Sequence, residues 1–151
     1  MNKVFITVLF LVMCSGVFLP LQAKERVVVQ TGKTGIVSNG LYFQICDVKI
    51  QQKNIEVTVE AKNKSMLSQE VYVELVDGAG KTYKADNKEA ISFFKPLKFN
   101  KPVTQKITFS VPTTNQNYWL AVYNRDIFKK SNKQLITKMS IKEAQKELNT
   151  K

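Results

Sequence analysis

The sequence predicts an all-β domain, an antiparallel sandwich or barrel of about seven short strands followed by one short C-terminal helix. Apolar residues alternate with polar ones in short runs along most of the chain, which is the period of a strand with one buried face. Clusters of Gly, Asn, Asp and Pro separate these runs at spacings of roughly ten residues, as in sandwiches and barrels. The chain has 151 residues, 44% of them apolar and 10% aromatic, which suits one globular domain.

The first 23 residues have the pattern of a secretory signal peptide. Lys3 gives a basic start, Val4 to Leu19 is an uncharged apolar stretch, and cleavage is expected after Ala23. We therefore expect an exported protein, periplasmic or extracellular. Two alternatives stay open. In the first, the segment is retained as a membrane anchor, since the apolar stretch approaches the roughly 20 residues that span a bilayer. In the second, the chain is a lipoprotein with lipid on Cys14.

The mature chain begins with alternating strands. In the clearest of them, Ile55, Val57 and Val59 alternate with charged or polar residues. Asp77-Gly78-Ala79-Gly80 supplies the positive-φ positions of a tight hairpin. The strands expected in this half are Arg26 to Gln30, Leu41 to Ile50, Ile55 to Ala61, Val71 to Val76 and Lys81 to Lys84.

The pattern continues in the second half, where prolines restrict the strand positions. Pro96 and Pro102 cannot donate to a ladder, so any strand that contains them must be an edge strand. The strands expected here are Ile91 to Phe94, Ile107 to Val111 and Tyr118 to Tyr123.

The chain changes period near its C-terminal end. Ser140 to Glu143 has the form of a capping box and predicts a helix from Ile141 to Leu148. So short a helix is marginal alone, so it either docks on the sandwich or frays. We therefore expect a sandwich domain over residues 24–124 and a basic tail with a short helix over residues 125–151.

Four segments, taken in order, resemble the DUF4352 family of bacterial exported immunoglobulin-like domains. They are Gly40 to Phe43, Val57 to Asn63, Leu75 to Tyr83 and Ile107 to Pro112. The resemblance covers Thr31 to Asn124. It implies an immunoglobulin-like sandwich, usually exported, with no established catalytic residues to carry across.

Catalysis, a cofactor and a metal site are not expected. The chain has no histidine, which excludes Ser-His-Asp and Cys-His pairs and imidazole metal clusters, and two cysteines cannot complete a four-thiolate zinc site. Gly78 to Thr82 resembles the end of a phosphate-binding loop, but Leu75 occupies the place of its first glycine. Cys46 is the only thiol after cleavage, and the apolar run around it predicts burial.

Charge is the feature with the most functional content. The chain carries 23 Lys and Arg against 12 Asp and Glu; without residues 1–23 the net charge is +10, of which +5 falls on residues 125–151. This excess either keeps an exported domain dispersed or attracts an anionic partner. The expected partner is an envelope polyanion or another envelope protein, with peripheral membrane-surface contact as an option. Nucleic acid is not expected, because only two of the 23 basic residues are arginine. The candidate partner-binding residues are Lys129, Lys130, Lys133, Lys138, Lys142 and Lys146.

Trp119 and Tyr123 form a second candidate site, because both fall on one face of the strand from Tyr118 to Tyr123. If this face points outward, the two rings can stack on a sugar or peptide, which suits a carbohydrate-binding module or an inhibitor of an extracellular hydrolase. If it points inward, Trp119 is the central core residue that such sandwiches often have, and this precedent favours the core.

Overall fold

The computed structural model describes residues 28–66, 69–86, 97–126 and 134–151. The expected signal peptide, residues 1–23, and the expected strand Ile91 to Phe94 lie outside these described residues. Nine strands and one helix occur in the described part, in the order β1 (Val28–Thr31), β2 (Gly35–Ser38), β3 (Leu41–Ile50), β4 (Asn54–Asn63), β5 (Gln69–Asp77), β6 (Thr82–Tyr83), β7 (Pro102–Ser110), β8 (Tyr118–Asp126), β9 (Gln134–Ser140) and α1 (Ile141–Leu148).

The strands form two antiparallel sheets that enclose the core. The first sheet has the order β1-β2-β3-β4-β7 and the second the order β6-β5-β8-β9. In this arrangement β3, β4 and β7 take the places of strands A, B and E of an immunoglobulin-like sandwich, and β6, β5, β8 and β9 those of C′, C, F and G. The predicted immunoglobulin-like sandwich with a short C-terminal helix is therefore confirmed, with nine strands in the described residues instead of about seven.

A tyrosine corner fixes the start of β8. Tyr118 is 2% exposed, and its Oη donates to the backbone carbonyl of Thr113 over 2.6 Å. A tyrosine that bonds to the chain a few residues upstream is typical of strand F in immunoglobulin-like domains. The side chain of Gln116 donates to the same hydroxyl at 2.7 Å. The rings of Tyr83 and Tyr118 pack edge-on, with their centroids 5.9 Å apart. These contacts tie the β7–β8 loop to the second sheet.

One contiguous hydrophobic core lies between the sheets. Alternation within β4 buries Ile55, Val57 and Val59 to 1% exposure or less, while the residues between them stay partly exposed. Across β7 the same alternation buries Phe109 completely. Burial of each such side chain contributes about 1.5–3 kcal/mol. As the proline predicts, β7, which begins at Pro102, is an edge strand.

Cys46 is exposed, so the expected burial of this thiol is wrong. Alternation from the buried Ile45 already turns Cys46 outward, and a β-bulge at this point keeps the next residue, Asp47, outward as well. Phe43 and Ile45 point into the core, and strict alternation would carry Asp47 there as well. The register with β4 shifts between Ile45 and Asp47, so Val48 becomes the next buried residue. Cys46 lies at this shift and is exposed. The shift keeps the carboxylate of Asp47 in water, where it escapes the cost of burying a charge.

The described residues of the expected tail, 125–126 and 134–151, pack into the sandwich instead of lying outside it. β8 runs through to Asp126, past the expected boundary at Asn124. β9 then pairs with β8, from Asn124 opposite Gln134 to Trp119 opposite Ser140. The described part of this segment thus supplies an edge strand of the second sheet, which the sequence analysis missed.

Helix α1 begins and ends where the sequence predicts, at Ile141 and Leu148. The side chain of Ser140 accepts a hydrogen bond from the backbone N–H of Glu143 at 3.4 Å, which is the expected N-cap. Ile141 and Ala144 are 1% and 0% exposed, and the helix contacts β3, β8 and β9. The sequence leaves open whether the helix docks on the sandwich or frays, and in the structure it docks.

Candidate binding surface

Trp119 lies on the outer face of the second sheet, so its interpretation as a central core residue is wrong. Within β8, Tyr118, Leu120 and Val122 are buried in the core, each at 2% exposure or less. Trp119 and Tyr123 alternate with them and are partly exposed. The buried aromatic residue of this strand is Tyr118, which fills the core and anchors the tyrosine corner.

The pairing of β9 with β8 brings a predicted lysine to the predicted tryptophan. Ala121 stands opposite Lys138, and Trp119 stands opposite Ser140, so Lys138 projects on the same outer face as the indole. Together they line a shallow open cavity of about 340 Å³. We call this surface the Trp119 patch; its lining residues are Val76, Asp77, Gly78, Gly80, Trp119 and Lys138.

The β5–β6 turn forms one wall of the Trp119 patch and leaves it open to a ligand. Gly78 and Gly80 present only backbone there, and Gly80 takes a φ of +84° that favours glycine. A Cβ added to Gly78 would lie 3.9 Å from Cζ3 of Trp119, an ordinary van der Waals distance. The indole edge therefore lies against Gly78, whereas a Cβ added to Gly80 would meet nothing within 4 Å, so the open space of the patch lies beside Gly80.

The only acid of the Trp119 patch is already engaged by the turn. Oδ1 of Asp77 accepts hydrogen bonds from the backbone N–H groups of Ala79 and Lys81, at 3.0 and 2.9 Å, and Oδ2 accepts one from the hydroxyl of Tyr83 at 3.0 Å. Burial raises the pKa of Asp77, but these hydrogen bonds outweigh it, and the pKa is lowered overall. The GAGKT segment is thus a side-chain-capped hairpin turn.

The free polar side-chain groups of the patch are donors. Within the described residues, neither the indole N–H of Trp119 nor the ammonium of Lys138 has a hydrogen bond or ion pair. An indole N–H and an ammonium donate and do not accept. The patch therefore offers an aromatic surface beside two unused donors, which complements a flat ligand that carries acceptors or negative charge.

The other predicted residues are spread around this surface. Tyr123 is on the same face as Trp119 but lies four residues farther along β8, opposite Tyr72 and Leu135, and does not line the cavity. Lys142 and Lys146 are exposed on α1. Lys129, Lys130 and Lys133 lie outside the described residues.

An aromatic and basic surface on the first sheet was not predicted from the sequence. Tyr42 is 40% exposed, and Nζ of Lys64 lies 4.7 Å from the centroid of its ring. Both line a cavity of about 270 Å³ together with Lys62 and Glu60. The alternation of β3, with Leu41 and Phe43 buried, is the signal that would have placed Tyr42 outside. Glu60 and the cation–π contact make this surface less available to an anion than the Trp119 patch.

The described residues contain no group of three or more His, Cys, Asp or Glu side chains placed to hold a metal ion. Partial burial, and then the charge of Glu60, raises the pKa of Cys46, which disfavours a reactive thiolate. No helix among residues 28–66, 69–86, 97–126 and 134–151 has the length and apolar character to span a membrane.

Comparison of the chain with known protein families, with curated proteins and with solved structures finds no match. The resemblance to the DUF4352 family therefore stays a prediction that rests on the four quoted segments. What the surface binds must be inferred from its own geometry and charge.

Proposed function

We propose that the mature protein is an exported, non-enzymatic binding domain of the bacterial envelope or extracellular space. In this proposal its partner is an anionic polymer or an acidic face of another envelope protein. The partner is held on the outer face of the second sheet and the adjoining surface of α1. The observation that carries the proposal is the ammonium of Lys138, unpaired beside the outward indole of Trp119.

The two acids of α1 are already paired with other basic groups. Glu143 lies 3.2 Å from Nζ of Lys33, and Glu147 lies 3.3 Å from Nζ of Lys151. In the described part of the chain, Lys138, Lys142 and Lys146 have no acid within ion-pair distance. Attraction between such charges and a polyanion acts over about 8 Å at physiological ionic strength, so neighbouring lysines act together.

The N-terminal pattern and the family resemblance support the location. Residues 1–23 have the charge and apolar stretch of an export signal, and the resemblance is to exported bacterial domains. An envelope is rich in anionic polymers, so a domain with a net charge of +10 would meet them at high local density.

A second candidate function is that of a carbohydrate-binding module, or of an inhibitor of an extracellular hydrolase. The outward position of Trp119 favours it, since a buried indole could contact no ligand. The two candidates differ in their dependence on salt. Charge-driven binding weakens steeply as salt increases, whereas stacking of a neutral sugar on an indole is nearly insensitive to it.

Retention of the mature protein on an immobilised envelope polyanion, such as teichoic acid or lipopolysaccharide, tests the proposal. The variant K138Q/K142Q/K146Q should elute at clearly lower salt than the wild type. The matched control is K53Q/K98Q/K101Q, which removes three exposed lysines from loops. Equal elution of both variants would contradict the assignment of the surface, and no retention of the wild type would contradict the function.

Point variants are needed because deletion of residues 125–151 cannot test whether this segment binds the partner. Removal of residues 125–151 would take away β9 and the buried side chains of Ile141 and Ala144. The remaining chain would lose part of its core and one strand of the second sheet. Any loss of binding would then report unfolding.

A further inference from the structure

We propose that the Trp119 patch binds an acidic sugar, that is, a pyranose ring with a carboxylate, within an anionic polysaccharide. This inference rests on the proposed function and narrows its partner to one chemical class. The ring would stack on the indole of Trp119, and its carboxylate would pair with the ammonium of Lys138.

The aromatic surface argues for a ring. Trp119 is fixed on a central strand, with Val76 of β5 on one side and Ser140 of β9 on the other. A rigid indole offers a flat apolar surface at little cost in conformational entropy, which suits the flat C–H face of a pyranose. The turn leaves open space at Gly80, where an added Cβ would meet nothing within 4 Å, so a ring has room in the patch beside Gly80.

The polar groups argue for a negative charge on that ring. The carboxylate of Asp77 is filled by three donors from its own turn and is not available to bind sugar hydroxyl protons. The groups left are the indole N–H and the Lys138 ammonium. A ligand whose acceptors match these donors gains charge-assisted hydrogen bonds, whereas a neutral sugar leaves the ammonium without a counter-charge.

The position of the patch within the sheet disfavours an extended acidic peptide. Val76 is paired with Thr82 on one side and with Trp119 on the other, so the main chain in the floor of the patch has strand neighbours on both sides. A peptide that adds to a sheet needs an unpaired strand edge, and the edge strands of this sheet are β6 and β9. A peptide paired with β9 would lie beside the sheet, so binding over the indole must come from side chains, which suits a ring better than a strand.

The size of the patch sets the expected affinity. A volume of about 340 Å³ lies near the lower end of the range for small-ligand sites, and the cavity is shallow. A single sugar unit should therefore bind weakly. A polysaccharide presents many units, so its apparent affinity should be higher through effective concentration.

Trp119 is the only tryptophan of the chain, so intrinsic tryptophan fluorescence reports on this patch directly. The mature protein is titrated with oligogalacturonate, with a neutral galactose oligomer of the same length and with poly-glutamate. Oligogalacturonate should shift and quench the emission with saturation, and the other two should need at least about tenfold higher concentration. K138Q should weaken the response to oligogalacturonate by about fivefold or more. The control K101Q, at the opposite end of the sandwich, should leave it unchanged.

Retention on an oligogalacturonate matrix tests the stacking, because variants without tryptophan give no such signal. Trp119→Ala should lose retention, Trp119→Phe should keep part of it, and Tyr42→Ala should keep all of it, with circular dichroism used to check folding. An equal response to poly-glutamate, an unchanged K138Q titration or full retention of a folded W119A would overturn the acidic-sugar site. If one of these contrary results is found but the protein still shows salt-sensitive retention on envelope polyanions, the proposed function stands and only the acidic-sugar site is wrong. If the wild type is not retained on any immobilised polyanion, both the acidic-sugar site and the proposed function fail.

Discussion

The backbone N–H of Lys33 donates a hydrogen bond to the carboxylate of Glu147 at 2.6 Å, across 114 positions of the chain. The bond joins the turn between β1 and β2 to the last turn of α1. The hydroxyl of Thr34 reaches the same carboxylate at 3.4 Å, and Nζ of Lys33 lies 3.2 Å from Glu143. The first described hairpin and the C-terminal helix are thus held together.

Neutralisation of Glu147 should loosen this connection. The hydrogen bond from Lys33, followed by the contacts with Lys151 and Thr34, lowers the pKa of Glu147 below its ordinary value of 4.5. A carboxyl whose pKa is lowered by folding stabilises the fold above its unfolded pKa. This contribution is lost as pH falls through the lower folded pKa. Glu147→Gln should therefore be less stable than the wild type near neutral pH.

Thermal unfolding of both proteins from about pH 7 to about pH 3 measures this effect. The difference in stability between wild type and E147Q should shrink as pH falls below about 4.5. Glu143→Gln is the matched control on the same helix, since its ion pair with Lys33 is exposed and contributes little. A constant difference at all pH values would show that the carboxylate charge has no such role.

Ile141→Ala should destabilise the whole domain. Ile141 is 1% exposed and belongs to the common core, so its truncation should cost about 2–5 kcal/mol, as for other buried large side chains. Leu148→Ala, at a partly exposed position of the same helix, should cost clearly less. Urea unfolding followed by circular dichroism compares the two. A small loss for I141A would mean that α1 is peripheral to the core.

Tyr118→Phe should weaken the tyrosine corner without emptying the core. The ring and its edge-on contact with Tyr83 are kept, while the hydrogen bond to the carbonyl of Thr113 is lost. The expected cost is about 0.5–1.5 kcal/mol, and more if the carbonyl finds no new partner. Tyr42→Phe removes a hydroxyl from an exposed ring and should be neutral within about 0.5 kcal/mol. Chemical unfolding at constant pH distinguishes the two variants.

The sequence predicts the elements whose pattern is regular. Ile55 to Ala61 alternates without interruption and lies within β4, and the helix from Ile141 to Leu148 has both a cap and an apolar side. β9 was missed because its pattern is broken: the register with β8 shifts between Val122 and Tyr123, and Leu135 and Ile136 are adjacent in sequence. Strict alternation cannot describe a strand with such a shift.

The candidate site is only half predictable for a similar reason. Alternation shows that Trp119 and Tyr123 share a face, but not which of two apolar faces points inward. In the structure Tyr118, Leu120 and Val122 fill the core. Trp119 and Lys138 lie close together because β9 pairs with β8. A local sequence pattern contains no information on this pairing.

The central claim is that lysines on the second sheet and α1 hold an anionic partner. Its most direct test is the salt dependence of the association constant with an envelope polyanion, for the wild type and for K138Q/K142Q/K146Q. The logarithm of the constant should fall linearly with the logarithm of salt concentration, since bound counterions are released on binding. The account predicts a slope shallower by about two to three in the triple variant, with K53Q/K98Q/K101Q close to the wild type. An identical slope in all three proteins would contradict it.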